Sequence, residues 1–450
     1  MEGQSVSRRQ FLTGATAGAA MLLAGASGVT SALRSGLERS PATRRRAAGG
    51  TASIWVVTEA ENNAIQTAIN AFNKHSPVKL QLVVVPATTT MNTKVRISIK
   101  TSKRPNMFFN WAGGSIAPYV KEGLLVNLTP PLDANPKVRN SFLPSVLDAA
   151  KINGQYYGIP VKGVQPVVFF YNKTMFKDYK LSPPKTWDEL LHVVKVFNSK
   201  NITPILLPGY TDWTTLMYLE YISARLGPYS VFSDLLTNNP KAWENPVILK
   251  ALKLCVDLVN ANAFGSTYKT LNYSNGEADA LFAKGKGAMM LMGTWDYGTQ
   301  VTTYHSFAVN DIGWMPFPTI PGGTGNPNAL AGNPSNWLSV VKTTPEVDKA
   351  CVDFLETQMN SAAFVRNLIS VGDVPAISGI EDELKKAPNA EFALGTYNLV
   401  KNAPSFELSW DQAVSQSYGP QLDTAIQQIF FKEISPQQFV DKMMTYAKEA

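Results

Sequence analysis

The stretch KGKGAMMLMGTWDY, Lys284–Tyr297, sets a glycine turn ahead of a short apolar run and closes on two aromatic residues. Gly285 and Gly287 bracket the turn, and Ala288–Met292 has the length and character of a strand buried on both faces of a parallel sheet. Gly293-Thr294 breaks the run and delivers Trp295, Asp296 and Tyr297 just past the strand's carboxyl end. In open α/β sheets that edge is where ligands bind. The arrangement occurs twice more. Met107–Asn110 leads into Trp111 with Gly113-Gly114 behind it, and Ile205–Leu207 leads through Pro208-Gly209 to Asp212-Trp213 at the start of a helical pattern. Three strand ends that each present a tryptophan beside a turn and a small polar residue point to a binding surface.

Working outward, the chain alternates strands and helices. Ser53–Val57, a helical face at Ala64, Ile65, Ala68, Ile69 and Phe72, and Lys79–Val85 make a β-α-β unit, whose right-handed crossover implies a parallel pair. Thr58 and Glu61 read as a capping box, which leaves Glu59 at both a strand end and a helix amino terminus. Asn153-Gly154 is a hairpin turn. Thr186 with Glu189, and Ser435 with Gln438, are further capping boxes. The fold class is α/β, with a first passage between lobes at Val161–Gln165, a return after Trp314–Pro318 and a third passage at Val374–Ser378.

At 450 residues the chain supports two or three domains. The formal charge of +7 invites a nucleic-acid reading, but seven arginines against Glu2 and Glu38 place +5 of it within residues 1–50. The remainder is close to neutral, which argues against nucleic acid. Ser7-Arg8-Arg9-Gln10-Phe11-Leu12 precedes an uncharged stretch of Ala, Gly, Leu and Met, with Ala24-Gly25-Ala26 as a cleavage site. Residues 1–26 therefore read as a twin-arginine export signal and 27–50 as a flexible tether. No cysteine in this region offers a lipid anchor, so the expected location is extracytoplasmic, periplasmic or cell-surface. Cys255 and Cys351, the two cysteines, each fall on the apolar face of a helical pattern and read as buried thiols; a disulfide is open to an exported protein but no spacing argues for one. No Cys/His spacing fits a metal, and no cofactor motif is present.

Several stretches, in this order, resemble the family 1 extracellular solute-binding proteins of ABC sugar importers, the maltose-binding-protein type. They are Asn153–Pro160 (NGQYYGIP), Tyr171–Phe176 (YNKTMF), Pro184–Leu190 (PKTWDEL), Phe282–Met290 (FAKGKGAMM) and Gly313–Pro318 (GWMPFP), followed by the helix from Pro345. The resemblance covers residues 51–450. It implies a two-lobe periplasmic-binding-protein-like fold of type II, each lobe a mainly parallel sheet flanked by helices, with three crossovers at the hinge. The lobe boundaries it gives are 51–162 with 309–371, and 163–308 with 372–450. It further implies a ligand held between the lobes, hinge closure, docking on ABC permease membrane subunits, and no catalysis. Carried over by position, Trp111, Trp295 and Trp410 match cleft aromatics, and Gly332 and Trp337 fall where many members have a Gly-Gly-x-x-Trp-like loop, which here reads AGNPSNW (Ala331–Trp337).

The expected ligand-binding set is thus Glu59, Asn110, Trp111, Asp212, Trp213, Trp295, Asp296, Gly332, Trp337 and Trp410. An indole covers the apolar face of a pyranose, while carboxylates and amides satisfy its rim of hydroxyls. Few basic residues sit at the strand ends, so a neutral di- or oligosaccharide is expected, bound by a monomer. Two other readings compete. One is an extracellular glycosidase using a carboxylate pair among Glu59, Asp212 and Asp296. The other is a receptor for a peptide, polyamine or phosphodiester.

Overall fold

The computed structural model describes residues 50–58, 62–86 and 88–450. The expected export signal, most of the tether, and Glu59 with its capping partner Glu61 lie outside those residues. Among the described residues thirteen strands follow in chain order. They are β1 (Thr51–Val57), β2 (Lys79–Val85), β3 (Met107–Asn110), β4 (Lys151–Ile152), β5 (Gln155–Tyr156), β6 (Ile159–Pro160), β7 (Gln165–Asn172), β8 (Thr203–Leu206), β9 (Gly287–Gly293), β10 (Ile312–Met315), β11 (Leu330–Asn333), β12 (Trp337–Val340) and β13 (Phe406–Leu408).

Two open sheets carry the fold. The first has the order β2-β1-β3-β12-β6 and the second β13-β11-β7-β9-β8, with β10 also paired to β7. Each packs helices around its own core, one holding Ile54, Val56, Phe108 and Leu338, the other Phe169, Ile205, Met290 and Leu291. The β-α-β units read from sequence are present: β1 runs parallel to β2 and β3, and β8 parallel to β9. Both sheets are nevertheless mixed. β12 joins β3 antiparallel, and β7 is antiparallel to β9, β10 and β11. The β4–β5 hairpin turns through Asn153 and Gly154, both at positive φ (50° and 76°). Both predicted capping boxes at Thr186 and Ser435 form, each closing two amide donors at its helix start.

The chain passes between the sheets three times, from β6 to β7, from β11 to β12, and between β12 and β13. The first passage falls where the sequence places it. The return does not, and of the third expected passage it is the start, Val374, that lies beside the first. The resemblance puts residues 309–371 in the first lobe, yet β10 pairs with β7 and β11 lies between β7 and β13 in the second sheet. The return comes only between Asn333 and Trp337. The third passage was expected at Val374–Ser378, with 372–450 in the second lobe. Instead Val374, Ala376, Ile377, Ile380 and Leu384 fill the first core, and Ala376 accepts the amide of Leu143 at 3.0 Å. The helix Ala390–Lys401 then faces both ways, giving Phe392 to the second core and Ala393, Tyr397 and Val400 to the first.

The passages lie side by side. Val161 donates to Asn336 O at 2.9 Å, Val164 to Val374 O at 2.8 Å, and Gly163 to the Asp373 carboxylate at 2.7 Å. Cys255 and Cys351 are buried free thiols in different cores. Among the described residues no helix is long and apolar enough to cross a membrane.

Candidate functional site

At the carboxyl end of β8, a turn through Pro208-Gly209 is closed by the Thr211 amide on Pro208 O (3.0 Å) and by the Thr214 hydroxyl on Pro208 O and Thr211 O (3.0 and 2.9 Å). It leaves Tyr210 63% exposed, the most open tyrosine on this edge. Asp212 caps the next helix, Trp213–Leu226, by accepting the Trp213 amide at 3.0 Å. Burial raises the Asp212 carboxyl above its ordinary range, and the Trp213 amide partly offsets this. That helix is buried from Thr214 to Leu226, so its amino terminus is a fixed platform for Trp213.

β9 ends at Gly293, and the following Thr294 is tied to the first passage: its amide donates to Pro166 O (3.0 Å) and its hydroxyl to Val164 O (3.1 Å). Trp295 begins the helix Trp295–Thr303 and folds back over the strand end. A Cβ on Gly293 would lie 1.9 Å from Trp295 Cζ3, so only glycine admits the indole there. The indoles of Trp213 and Trp295 are 6.1 Å apart at 59°, and Trp213 meets the ring of Tyr273 edge-on at 5.3 Å. Tyr273 comes from the loop after Tyr268 and is secured by its amide on the Thr211 hydroxyl (3.0 Å), which itself donates to Asn272 (3.1 Å). Trp295 Nε1 donates to the Tyr273 hydroxyl at 3.0 Å. The three rings are half-buried. The polar groups bonded around them are hydroxyls, amides and carboxyls.

The structure brings together four of the predicted residues, Asp212, Trp213, Trp295 and Asp296. It distributes the others. Asp296 is 0% exposed, so its carboxyl supports the ring cluster from behind and does not meet solvent. Trp337 and Trp410 are also 0% exposed and are core residues. Trp337 sits opposite Asn110 in the β12–β3 register with its side chain against Gly158. Trp410 packs edge-on to Trp243 at 6.1 Å, with its indole nitrogen on Glu407 at 3.0 Å. Asn110 is buried and spent internally, donating to Ser339 Oγ (2.9 Å) and accepting the Ala112 amide (3.0 Å). Gly332 belongs to β11 at φ 130°, where a Cβ would stand 2.8 Å from Gln165 O; it is a packing glycine. Trp111 is buried edge-on to Phe109 at 5.1 Å, at the end of β3. The turn behind it abuts the second sheet's side: a Cβ on Gly114 would lie 1.9 Å from Val414 O.

Tyr273, absent from the predicted set, completes the cluster, and Tyr210, also absent from it, stands exposed in the turn before Asp212. Tyr210 stood one turn from the predicted Asp212-Trp213 and was readable as an aromatic in a Pro-Gly turn. Tyr273 had no such signal. A separate cavity of about 1130 Å³ opens between Lys121 and Asn153 on one side and Tyr229, Phe232 and Phe406 on the other. It shares no lining residue with the indole cluster and presents no tryptophan face, so the strand-end cluster has the better chemistry for a ring-shaped ligand. Among the described residues no group of His, Cys, Asp and Glu is placed to hold a metal ion.

The sequence matches the family of bacterial extracellular solute-binding proteins over residues 57–372. An uncharacterized ABC transporter extracellular-binding protein of Pyrococcus horikoshii is 27% identical over 306 residues, 64% of this chain; the chain spans 66% of that relative's length. The galactooligosaccharide-binding protein of Bacillus subtilis is 24% identical over 432 residues, 92% of each chain. A solved structure from work on xylan utilization by the thermophilic bacterium Caldanaerobius polysaccharolyticus superposes with a TM-score of 0.75 and 27% identity, covering 88% of this chain and 99% of that one.

Proposed function

The chain belongs to the bacterial extracellular solute-binding proteins, and from that membership we propose that it is the carbohydrate-binding component of an ABC importer. In this reading it captures a neutral di- or oligosaccharide between two lobes and delivers it to the permease's membrane subunits. The observation that carries the reading is the half-open Trp213–Trp295–Tyr273 group at the carboxyl ends of β8 and β9. Rigid aromatic faces suit the C–H faces of sugar rings, and hydroxyls and amides at their rim suit the sugar hydroxyls. The galactooligosaccharide and xylan associations of the relatives agree with that chemistry.

The lobes correspond to the two sheets, and the bundle of passages at Val161–Val164, Ser335–Asn336 and Asp373–Val374 is the hinge. Thr294 bonds that bundle directly, so a ligand resting on Trp295 bears on the hinge. A ligand that touches both lobes, with Trp111, Asp212 and Tyr210 as further contacts, stabilises the closed state over the open one. The protein acts as an exported monomer, its first 26 residues a twin-arginine signal and the next 24 a tether.

A binding role is favoured over hydrolysis because Asp296 is sealed from solvent and Asp212 is engaged as a helix cap. Native mass spectrometry of the purified protein, followed by calorimetry with galacto- and xylo-oligosaccharides, tests the proposal. A co-purified sugar, or saturable one-to-one binding without turnover, supports it. Binding only of charged solutes, or sugar cleavage at stoichiometric protein, overturns it.

A further inference from the structure

Behind the half-buried indoles lies a buried chain of hydrogen bonds with a fixed direction. Trp295 Nε1 donates to the Tyr273 hydroxyl at 3.0 Å, and that hydroxyl donates to Asp296 Oδ1 at 3.1 Å. Asp296 Oδ2 accepts the amide of Gln300 at 3.4 Å, and the Asp296 carboxyl also hydrogen-bonds Asp279 from the helix Glu277–Ala283. An indole N–H is a donor only, so it needs an acceptor. A phenol hydroxyl serves as one in a fixed orientation only if its own single proton is committed elsewhere. Asp296 takes that proton.

We propose that Tyr273, held by the Asp279–Asp296 pair, is a positioning residue that sets the indole plane of Trp295 for ligand stacking. The inference rests on the carbohydrate-binding reading for its purpose and on the hydrogen-bond chain for its geometry. Both carboxyls are buried, and one oxygen of Asp279 has no hydrogen-bond partner. Burial first, and then the neighbouring Asp279 charge, hold the Asp296 carboxyl well above the usual carboxylate range; burial also raises Asp279. Sharing a proton is therefore favoured over ionising both carboxyls, and the pair titrates as a unit.

The titratable groups facing Asp296 are Asp279 from the helix before β9 and Tyr273 from the loop before that helix. Its own helix adds only the neutral amide of Gln300, and β9 carries no ionisable side chain. Loss of the shared proton sets two carboxylates side by side in the interior with no cation among those groups. Their repulsion opens the bracket and frees the indole.

The test reads Trp295 with and without sugar, in the full chain. With ¹⁵N-labelled tryptophan, the Trp295 indole resonance is assigned by Trp295→Phe. In Tyr273→Phe this resonance shifts and its proton exchanges faster with solvent, and affinity for galacto- or xylo-oligosaccharide falls about tenfold, the value of one lost hydrogen bond at a binding group. Asp296→Ala loses affinity likewise. Asp296→Asn, which keeps an acceptor for Tyr273 and a donor for Asp279, restores most of that loss and removes the fall in affinity at alkaline pH. An unmoved indole resonance in Tyr273→Phe, or a wild-type alkaline fall in Asp296→Asn, overturns the proposal. If neither sugar binds the wild-type protein, the carbohydrate reading fails and the indole resonance alone decides the bracket.

Discussion

Trp213 and Trp295 come from the ends of neighbouring parallel strands, and their indoles stand 6.1 Å apart at 59°. The angle matters. Two parallel rings would stack into one slab, whereas tilted rings present differently oriented planes. Each indole also retains a backing, Trp213 from Tyr273 and Trp295 from the bare backbone of Gly293.

Trp295→Ala removes the ring that touches both Trp213 and Tyr273, so sugar affinity falls about 30-fold or more, as at a binding hot spot. Trp213→Ala causes a smaller loss, because Trp295 keeps its hydrogen bond to Tyr273. Isothermal calorimetry measures both. Retained wild-type affinity in Trp295→Ala takes the indole cluster out of the site.

Trp410→Ala and Trp337→Ala act on stability. Both rings are fully buried, so truncation leaves a cavity and costs about 3–5 kcal/mol. Trp410→Ala also strips Glu407 of its indole donor. Urea unfolding at equilibrium shows the loss as a lower midpoint. Protein that remains folded retains its sugar affinity within a few-fold, which separates these two tryptophans from Trp295.

How far the site was legible follows from what carries information locally. Asp212-Trp213 and Trp295 were readable because an apolar run, a glycine break and an aromatic fix a strand end without reference to the rest of the chain. Trp337 and Trp410 were not, because a matching position in a family does not say which way a side chain points; Trp337 faces Gly158 across β12 and β6. Tyr273 was silent for another reason. It lies in a loop without periodicity, and its partners Thr211 and Asp296 are 62 and 23 residues away. The sheet to which β10 belongs was hidden on the same ground, since it is decided by pairing with β7, well over a hundred residues earlier.

Stability should fall as pH rises from acid to mildly alkaline. Burial raises the carboxyls of Glu220 and Glu407 to about 8 each, although Glu220 accepts the Trp410 amide at 2.7 Å and Arg225 lies near Glu407. Unfolded, both return to about 4.3. Folding therefore takes up protons above that value. The contribution is complete below about pH 4 and is lost as pH climbs through about 8. Denaturant midpoints measured between about pH 5 and pH 9 should decline, and Glu220→Gln should flatten the decline. A midpoint that rises across that range contradicts the assignment.

Gly293→Ala isolates the role of indole placement from that of indole presence. The new methyl would sit 1.9 Å from Cζ3 and 2.2 Å from Cε3 of Trp295, too close for any real contact, so either the ring or the strand end must move. The strand end is the stiffer of the two, because Val167 pairs with Gly293 across β7 and the next residue, Thr294, is bonded to Pro166 and Val164. The indole therefore swings away, which costs it the bond to Tyr273 and changes its angle to Trp213. Sugar affinity falls about tenfold or more although every ligand-touching side chain is still present. The Trp295 indole resonance moves in the absence of sugar, as it does in Tyr273→Phe. Ala at 293 with unchanged affinity and an unmoved resonance would mean that the strand end yields instead, and that the ring's position is set from the Tyr273 side alone.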